Sequence, residues 1–238
     1  MKLKYTSALA LSLLFPLAAQ AVPMLQLDIE GGTYVGGTEE STVTTDSAFN
    51  LWALGETSKV TLGKTYYLSV ALLPASENLG DPANFGSVTV DGVALGTTIG
   101  QAEYGTPPIE DIDNDLPSHG IFDTYYYEIA FLFDGSPTVG SYDAQNGSGA
   151  NGFLYQKTFA IDASSLAFGY GLHFDLYTYD SGAKRTRVTD FAPFSHDAAY
   201  CVELNCNPVE VTEPGTLGLM GLGLLGLVTL RRRLVTRQ

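Results

Sequence analysis

Basic side chains are scarce in the central part of this sequence. Of the 12 lysines and arginines, two lie in the first four residues and four follow residue 230. Residues 22–213 therefore hold six basic side chains against all 26 acidic ones, which gives a net charge of −20 before histidine is counted. Such a surface repels a phosphate backbone and argues against nucleic acid as a partner. It suits solubility outside the cell, repulsion between copies, or binding of divalent cations.

Cysteine occurs only twice, in the stretch YCVELNCNP at residues 200–208. In an oxidising compartment Cys201 and Cys206 are expected to form a disulfide. The bridge closes a short loop, is worth about 2 kcal/mol on the chain-entropy model, and would pin the end of the domain. His196 and Asp197 lie nearby, so a metal site remains the alternative use of these cysteines.

Helical patterns are also missing from the central region, where no segment repeats apolar residues at a 3.6-residue spacing over three turns. Apolar and polar residues instead alternate in four segments, at 25–29, 66–72, 125–133 and 172–177. A period of two over such lengths indicates strands with one buried face. Turn signals such as Asp91-Gly92 and Asn146-Gly147 separate the strand segments.

One domain, residues 22–206, accounts for these patterns. We predict an all-β fold, an antiparallel β-sandwich with jelly-roll or immunoglobulin-like packing. Residues 100–120 and 135–152 are predicted loops, because the first is rich in proline and acidic residues and the second in Gly, Ser and Asn. Residues 162–166 are compatible with one short helical turn.

The N-terminal segment has the three-part pattern of a secretory signal peptide. Lys2 and Lys4 precede an apolar stretch, and Ala19-Gln20-Ala21 is a small-x-small cleavage site for signal peptidase. The apolar stretch is shorter than the roughly 20 residues that a membrane span needs, although an uncleaved anchor is the alternative. We expect residues 1–21 to be removed and the mature chain to begin near Val22.

The C-terminal segment 216–230 is uncharged and rich in leucine and glycine. It predicts a single hydrophobic transmembrane helix, although residues 217–230 would rise only about 21 Å against a hydrocarbon core of about 30 Å. The alternative is a core helix of a soluble domain. Arginines on one flank of a span keep that flank in the cytoplasm, so residues 231–238 form a basic cytoplasmic tail. The stop residues are Arg231, Arg232 and Arg233.

Together, Glu213-Pro214, the marginal span and the arginine cluster resemble the PEP-CTERM sorting signal of Gram-negative bacteria. In that family a Pro-Glu-Pro motif precedes the span, and the membrane protease exosortase processes the protein there; Thr212 stands in place of the first proline. Residues 207–215 would be the stalk and sorting motif. The resemblance implies a precursor held transiently in the inner membrane with a periplasmic ectodomain, then delivery to the cell surface or the extracellular matrix.

The acidic loop EDIDND at 110–115 resembles the start of a calcium-binding loop. Ca²⁺ takes six to eight oxygen ligands, which clustered carboxylates can supply. The EF-hand pattern fails, because Leu116 replaces its glycine and Phe122 its closing glutamate. A structural Ca²⁺ held by Asp111, Asp113 and Asp115 is therefore one hypothesis, and an exposed acidic loop with no cofactor is the other.

Catalytic patterns are weak. Ser195-His196-Asp197 contains the residue types of a hydrolase triad, but adjacent residues cannot normally hydrogen-bond in series, and no G-x-S-x-G elbow is present. His119 and His173 are expected to be isolated, the latter on the polar face of a strand. Glu128 and Asp175 lie mid-strand and could form a glycosidase pair only by chance. We expect no enzymatic activity.

Tyrosine is abundant, and its 14 residues allow two roles. Exposed rings could stack on sugars, whereas buried ones pack in the core with a hydroxyl that contacts water; no sugar-binding residue is identified.

The segments VPMLQLDIEGGTY (22–34), EEST (39–42) and FNLWAL (49–54) resemble the choice-of-anchor group of surface proteins, type N.

That resemblance implies an exported surface role and carries no catalytic residues. We therefore expect a non-enzymatic structural or adhesive protein. The alternatives are a carbohydrate-binding module of the exopolysaccharide matrix, with a structural Ca²⁺, and a secreted hydrolase.

Overall fold

A computed structural model describes residues 22–36, 40–78, 80–95, 102–107, 123–180 and 187–202. Within these ranges the chain is built almost wholly from strands, with two short 3₁₀ turns at Pro82–Phe85 and Phe194–His196. The strands are β1 Leu25–Ile29, β2 Thr33–Val35, β3 Ser41–Thr44, β4 Ala48–Glu56, β5 Thr65–Leu73, β6 Gly86–Val90, β7 Val93–Ala94, β8 Glu103–Gly105, β9 Thr124–Leu132, β10 Thr138–Tyr142, β11 Gly149–Leu166, β12 Gly171–Asp180, β13 Arg187–Phe191 and β14 Asp197–Tyr200. The prediction of an all-β fold is confirmed.

The strands form two sheets. The first has the order β1-β4-β11-β6-β7, with β10 also paired to β11. The second has the order β2-β3-β14-β12-β5-β9-β8, with β13 also paired to β12. The described pairings are antiparallel, as predicted, apart from the parallel pair of β14 and β3. Among the described residues, no helix is long and apolar enough to cross a membrane.

One apolar core lies between the sheets, and the period-two alternation of the strands builds it. In the first sheet β1 contributes Leu25, Leu27 and Ile29. In the second sheet β12 contributes Leu172, Phe174 and Leu176, and β5 and β9 contribute their own alternate residues. A fully buried aliphatic or aromatic side chain contributes about 1.5–3 kcal/mol, so these alternating runs fix which face of each strand turns inward.

Two local expectations are wrong. Residues 162–166 form no helical turn, since they are the last part of β11. The register of β11 against β6 shifts between Asp162 and Ser165, and the carboxylate of Asp162 accepts a hydrogen bond from the Ser164 amide. A bulge of this kind uses polar residues much as a turn does. The predicted loops 100–120 and 135–152 likewise contain strands: β8 lies in the first, and β10 and the start of β11 lie in the second.

A second, smaller apolar cluster covers the outer face of the first sheet. Val22, Leu54 and Leu154 are buried there, with Trp52, Val139 and Tyr142 packed against them. Leu54 and Leu154 lie on β4 and β11, and Val139 and Tyr142 come from β10, which pairs with the N-terminal part of β11. The β10–β11 hairpin therefore supplies apolar cover to a sheet face that would otherwise meet water.

Replacing Phe174 with alanine tests the shared core. Phe174 is fully buried and packs edge-to-face on Phe49, with ring centroids 6.0 Å apart. We expect Phe174→Ala to lower the free energy of unfolding by about 3–5 kcal/mol. The matched control is Phe168→Ala, because Phe168 is 94% exposed and its loss should change stability by no more than about 0.5 kcal/mol. Equal losses in urea denaturation would contradict the assigned core.

Candidate functional site

A row of polar side chains crosses the outer face of the second sheet. On β12, Asp175 pairs with Ser69 of β5, and Ser69 pairs in turn with Glu128 of β9. The antiparallel register of β12 and β14 pairs Phe174 with Ala198, so the next step places Asp175 opposite Asp197. These positions face away from the core because Phe174 and Leu176 face into it. Three carboxylates therefore share one row across four neighbouring strands.

His173 joins two of these carboxylates. Its Nε2 lies 3.1 Å from Oδ1 of Asp175 and 3.7 Å from Oδ2 of Asp197. One donor atom from each of the three residues lies within 4.8 Å of the others. Both aspartates are fully buried, and His173 is 7% exposed. The expectation that His173 is isolated is therefore wrong, because the partner Asp197 comes from a strand that is distant in sequence.

Ser69 adds a fourth polar group beside this cluster. It is fully buried, and its Oγ has no hydrogen-bond partner among the residues that the structure describes. Buried carboxylates are strongly destabilised unless positive charge or hydrogen bonds compensate for lost water. The compensation here can come from a protonated imidazole, from a basic side chain, or from a bound cation.

Tyrosines surround Glu128 at the other end of the row. Its Oε1 accepts hydrogen bonds from the hydroxyls of Tyr177, at 2.5 Å, and Tyr179, at 2.6 Å. Burial first, and the Glu128 carboxylate second, raise the pKa of both phenols well above the ordinary value. Tyr67 packs on both rings, with centroids 6.1 Å and 4.9 Å away. The hydroxyls of Tyr177 and Tyr179 thus bind one carboxylate of the same sheet, and Tyr66 and Tyr125 lie in the core.

The second buried histidine forms a different group. Ser195 Oγ lies 2.9 Å from Nδ1 of His196, and His196 Nε2 lies 3.1 Å from Oδ1 of Asp143. Asp197 takes no part, so the adjacent trio of the sequence is split between two clusters. A serine, a histidine and an aspartate do connect in series, but the aspartate is 53 residues away from the histidine.

Asp143 serves mainly to hold a loop. Its carboxylate also accepts from the Gln145 amide at 2.8 Å and from the Asn146 side chain at 3.1 Å. The fully buried Gln26 donates from Nε2 to the Tyr142 carbonyl at 2.7 Å and accepts from the Ala144 amide at 3.0 Å. The His196–Asp143 pair is thus one tie among several that fasten the loop after β10 to β1 and to the turn before β14.

Asp28 completes this fastening. Its Oδ2 accepts a hydrogen bond of 2.6 Å from the Tyr142 hydroxyl, and its Oδ1 accepts one of 2.8 Å from the Ile29 amide. Burial raises the pKa of the Asp28 carboxyl, and the two hydrogen bonds offset only part of that rise. Burial first, and the hydrogen bond to Asp28 second, raise the pKa of Tyr142.

Several predicted site residues lie outside the described part of the chain. These are the acidic-loop residues Asp111, Asp113 and Asp115, the sorting residues Thr212, Glu213 and Pro214, the arginines Arg231, Arg232 and Arg233, and Cys206. The signal peptide 1–21 and the hydrophobic segment 216–230 lie outside it too. Cys201 is buried just after β14, and its disulfide with Cys206 stays a prediction.

Substitutions of Asp143 and Ser195 distinguish a structural tie from a catalytic triad. Asp143→Ala leaves His196 buried without its acceptor, so it should cost about 1–3 kcal/mol of stability and speed amide exchange at 143–148. Ser195→Ala keeps the His196–Asp143 bond and should cost less than about 1 kcal/mol. Hydrogen exchange with mass spectrometry measures both effects, and an unchanged loop in Asp143→Ala would rule out the tie.

The raised pKa of Asp28 predicts a pH effect of defined sign. The folded state disfavours the charged carboxylate, so wild-type stability falls as pH rises from the ordinary value of 3.8 through the raised pKa. Asp28→Asn lacks this loss, and its stability relative to wild type should therefore increase across that window and then level off.

Asp162→Asn is the control, because hydrogen bonds from Ser164 lower the pKa of Asp162. The relative stability of that variant should decrease as pH rises towards the ordinary value of 3.8 and should then level off. Urea denaturation between pH 3 and pH 7 measures the stability of each variant relative to wild type. A change in the same direction for both variants would contradict the opposite pKa shifts of Asp28 and Asp162.

Comparison with known families bears on the C-terminal segment. Residues 210–233 match the family model described as the PEP-CTERM protein-sorting motif. The match includes Thr212, Glu213 and Pro214 and extends to Arg233. No curated protein and no solved structure matches the chain, and the resemblance of segments within residues 22–54 to the choice-of-anchor group gains no support. The C-terminal motif implies exosortase-dependent sorting of an exported protein whose precursor is associated with a membrane.

Proposed function

We propose that this chain is a cell-surface or extracellular-matrix protein with a non-enzymatic, structural or adhesive role. Signal peptidase removes residues 1–21, and segment 216–230 holds the precursor in the inner membrane with the domain in the periplasm. Exosortase then releases the domain to the cell surface or its polysaccharide matrix. The observation that carries this proposal is the sorting-motif match at residues 210–233.

The fold supports a tethered role. The two sheets and their shared core fit a β-sandwich, the architecture predicted for residues 22–206. β14 is the last described strand before the tail, and it lies between β3 and β12 rather than at an edge. A pull on the tail would therefore load hydrogen bonds on both sides of β14, which suits a domain held at a surface.

The chemistry of the histidines favours a structural role over an enzymatic one. His196 and Asp143 are both buried and fasten a loop, and His173 lies between two buried aspartates. A hydrolytic carboxylate must reach a substrate. The carboxylate of Glu128 is already bonded to two tyrosines.

Cell fractionation with intact-mass measurement of the exported protein tests the proposal. We expect a released form that lacks residues 1–21 and the segment after the sorting motif. Thr212→Pro restores the family's first proline and should raise the processed fraction, whereas Pro214→Ala should lower it and leave the precursor in the membrane. Pro208→Ala, a proline outside the motif, is the matched control and should behave as wild type.

Release of a chain that keeps its C-terminal residues would contradict the sorting part of the proposal. A glycan array on the released protein addresses its role at the surface. A purely structural protein binds no glycan selectively, whereas selective binding abolished by an outer-face tyrosine substitution would establish a carbohydrate-binding module instead.

A further inference from the structure

The geometry points to a binding site for one divalent transition-metal ion, of the Zn²⁺ or Mn²⁺ type, formed by His173, Asp175 and Asp197. This site is separate from the acidic loop that was one sequence-based hypothesis for Ca²⁺, and it goes beyond the proposed sorting and surface role. It lies on the outer face of the second sheet, where β12 supplies two ligands and β14 supplies the third.

The spacing of the three donor atoms fits coordination to a single ion. Ligand atoms bound at about 2.0–2.2 Å from one metal lie roughly 3–4.5 Å from each other. The imidazole Nε2 lies 3.1 Å and 3.7 Å from the two carboxylate oxygens, and all three donors lie within 4.8 Å of one another. Both nitrogen–oxygen separations lie within that range.

The donor set selects the class of metal. Ca²⁺ and Mg²⁺ prefer sites made of oxygen atoms. Imidazole favours zinc and the later transition metals, and carboxylates also accommodate manganese. One imidazole nitrogen and two carboxylate oxygens are therefore better matched to Zn²⁺ or Mn²⁺ than to calcium. The two negative charges of Asp175 and Asp197 would balance the ion.

Ser69 is an independent indication of a ligand at this position. It pairs with Asp175 across the sheet and lies on the same face. Its Oγ is fully buried and has no hydrogen-bond partner within the described ranges of the chain. A metal-bound water, which needs polar partners to be held in a buried place, would give this hydroxyl an acceptor or donor.

A metal at this position would stabilise one particular strand. His173 and Asp175 lie at the centre of the sheet, and Asp197 is the first residue of β14. The ion would cross-link β14 to β12 beside the residues that lead towards the sorting signal. Metal binding to the folded state alone adds directly to its stability. The bound ion would therefore stabilise the part of the domain that carries the tail.

The test uses the full chain purified in detergent micelles and stripped with a chelator. We expect it to bind one equivalent of Zn²⁺ or Mn²⁺ by elemental mass spectrometry. At a metal concentration about 100 times the Kd, the Tm should rise by roughly 5–10 °C, and CaCl₂ at the same concentration should give a much smaller shift. His173→Gln and Asp197→Asn should each weaken binding at least about tenfold.

His196→Gln is the matched control, because His196 is equally buried and is paired with a single carboxylate. It should keep wild-type stoichiometry and affinity. Wild-type protein that binds no metal would overturn the proposal without reference to any variant, and would mean that a protonated imidazole or a basic side chain balances the carboxylates. Binding that survives Asp197→Asn but is lost in His196→Gln would overturn it as well.

Discussion

The register of β12 at the centre of the second sheet is the constraint on which the rest of this structure depends. One face of β12 places Leu172, Phe174 and Leu176 in the shared core. The opposite face places His173 and Asp175 against β5 and β14. Side chains alternate with a period of two, so a slip of one residue would bury the charges in the core and expose the leucines. The core therefore fixes the position of the polar row.

Burial destabilises the charged side chains of this polar row unless its members compensate for one another. Two aspartates with no exposed surface are stable only next to positive charge or strong hydrogen-bond donors. The half-buried Glu128 is compensated by two tyrosine hydroxyls, and the buried Asp143 by His196 and its own loop. The carboxylates of this acidic protein thus divide between a solvated surface and a few buried groups, and the buried ones join strands that are far apart in sequence.

The sequence was sufficient for features that depend on local pattern. The alternation at residues 25–29 and 172–177 predicted β1 and the core face of β12, and Asn146-Gly147 falls between β10 and β11 as a turn signal should. The bulge near Asp162 was mistaken for a helical turn, because polar residues in a bulge and in a turn look alike in sequence. Pairings between distant strands have no local signal, so the register of the two sheets could not be predicted.

The candidate site shows the same limit of prediction from local sequence. The two ligands His173 and Asp175 have an i, i+2 spacing that is visible on one strand face, but Asp197 joins them only through the pairing of β12 with β14. In the sequence, Asp197 follows Ser195 and His196 and so suggested a catalytic triad. In the structure the carboxylate next to His196 is that of Asp143. The composition of β12 could suggest a polar face but not which residue would meet it.

Cross-strand backbone NOEs from an isotope-labelled sample of the protein test this register most directly. In the register described, backbone contacts should connect Asp175 with Ser69 on one side and with Asp197 on the other. Contacts that instead connect Asp175 with Val70 or Ala198 would show a register shifted by one residue, and both the core and the polar row described for β12 would then be wrong.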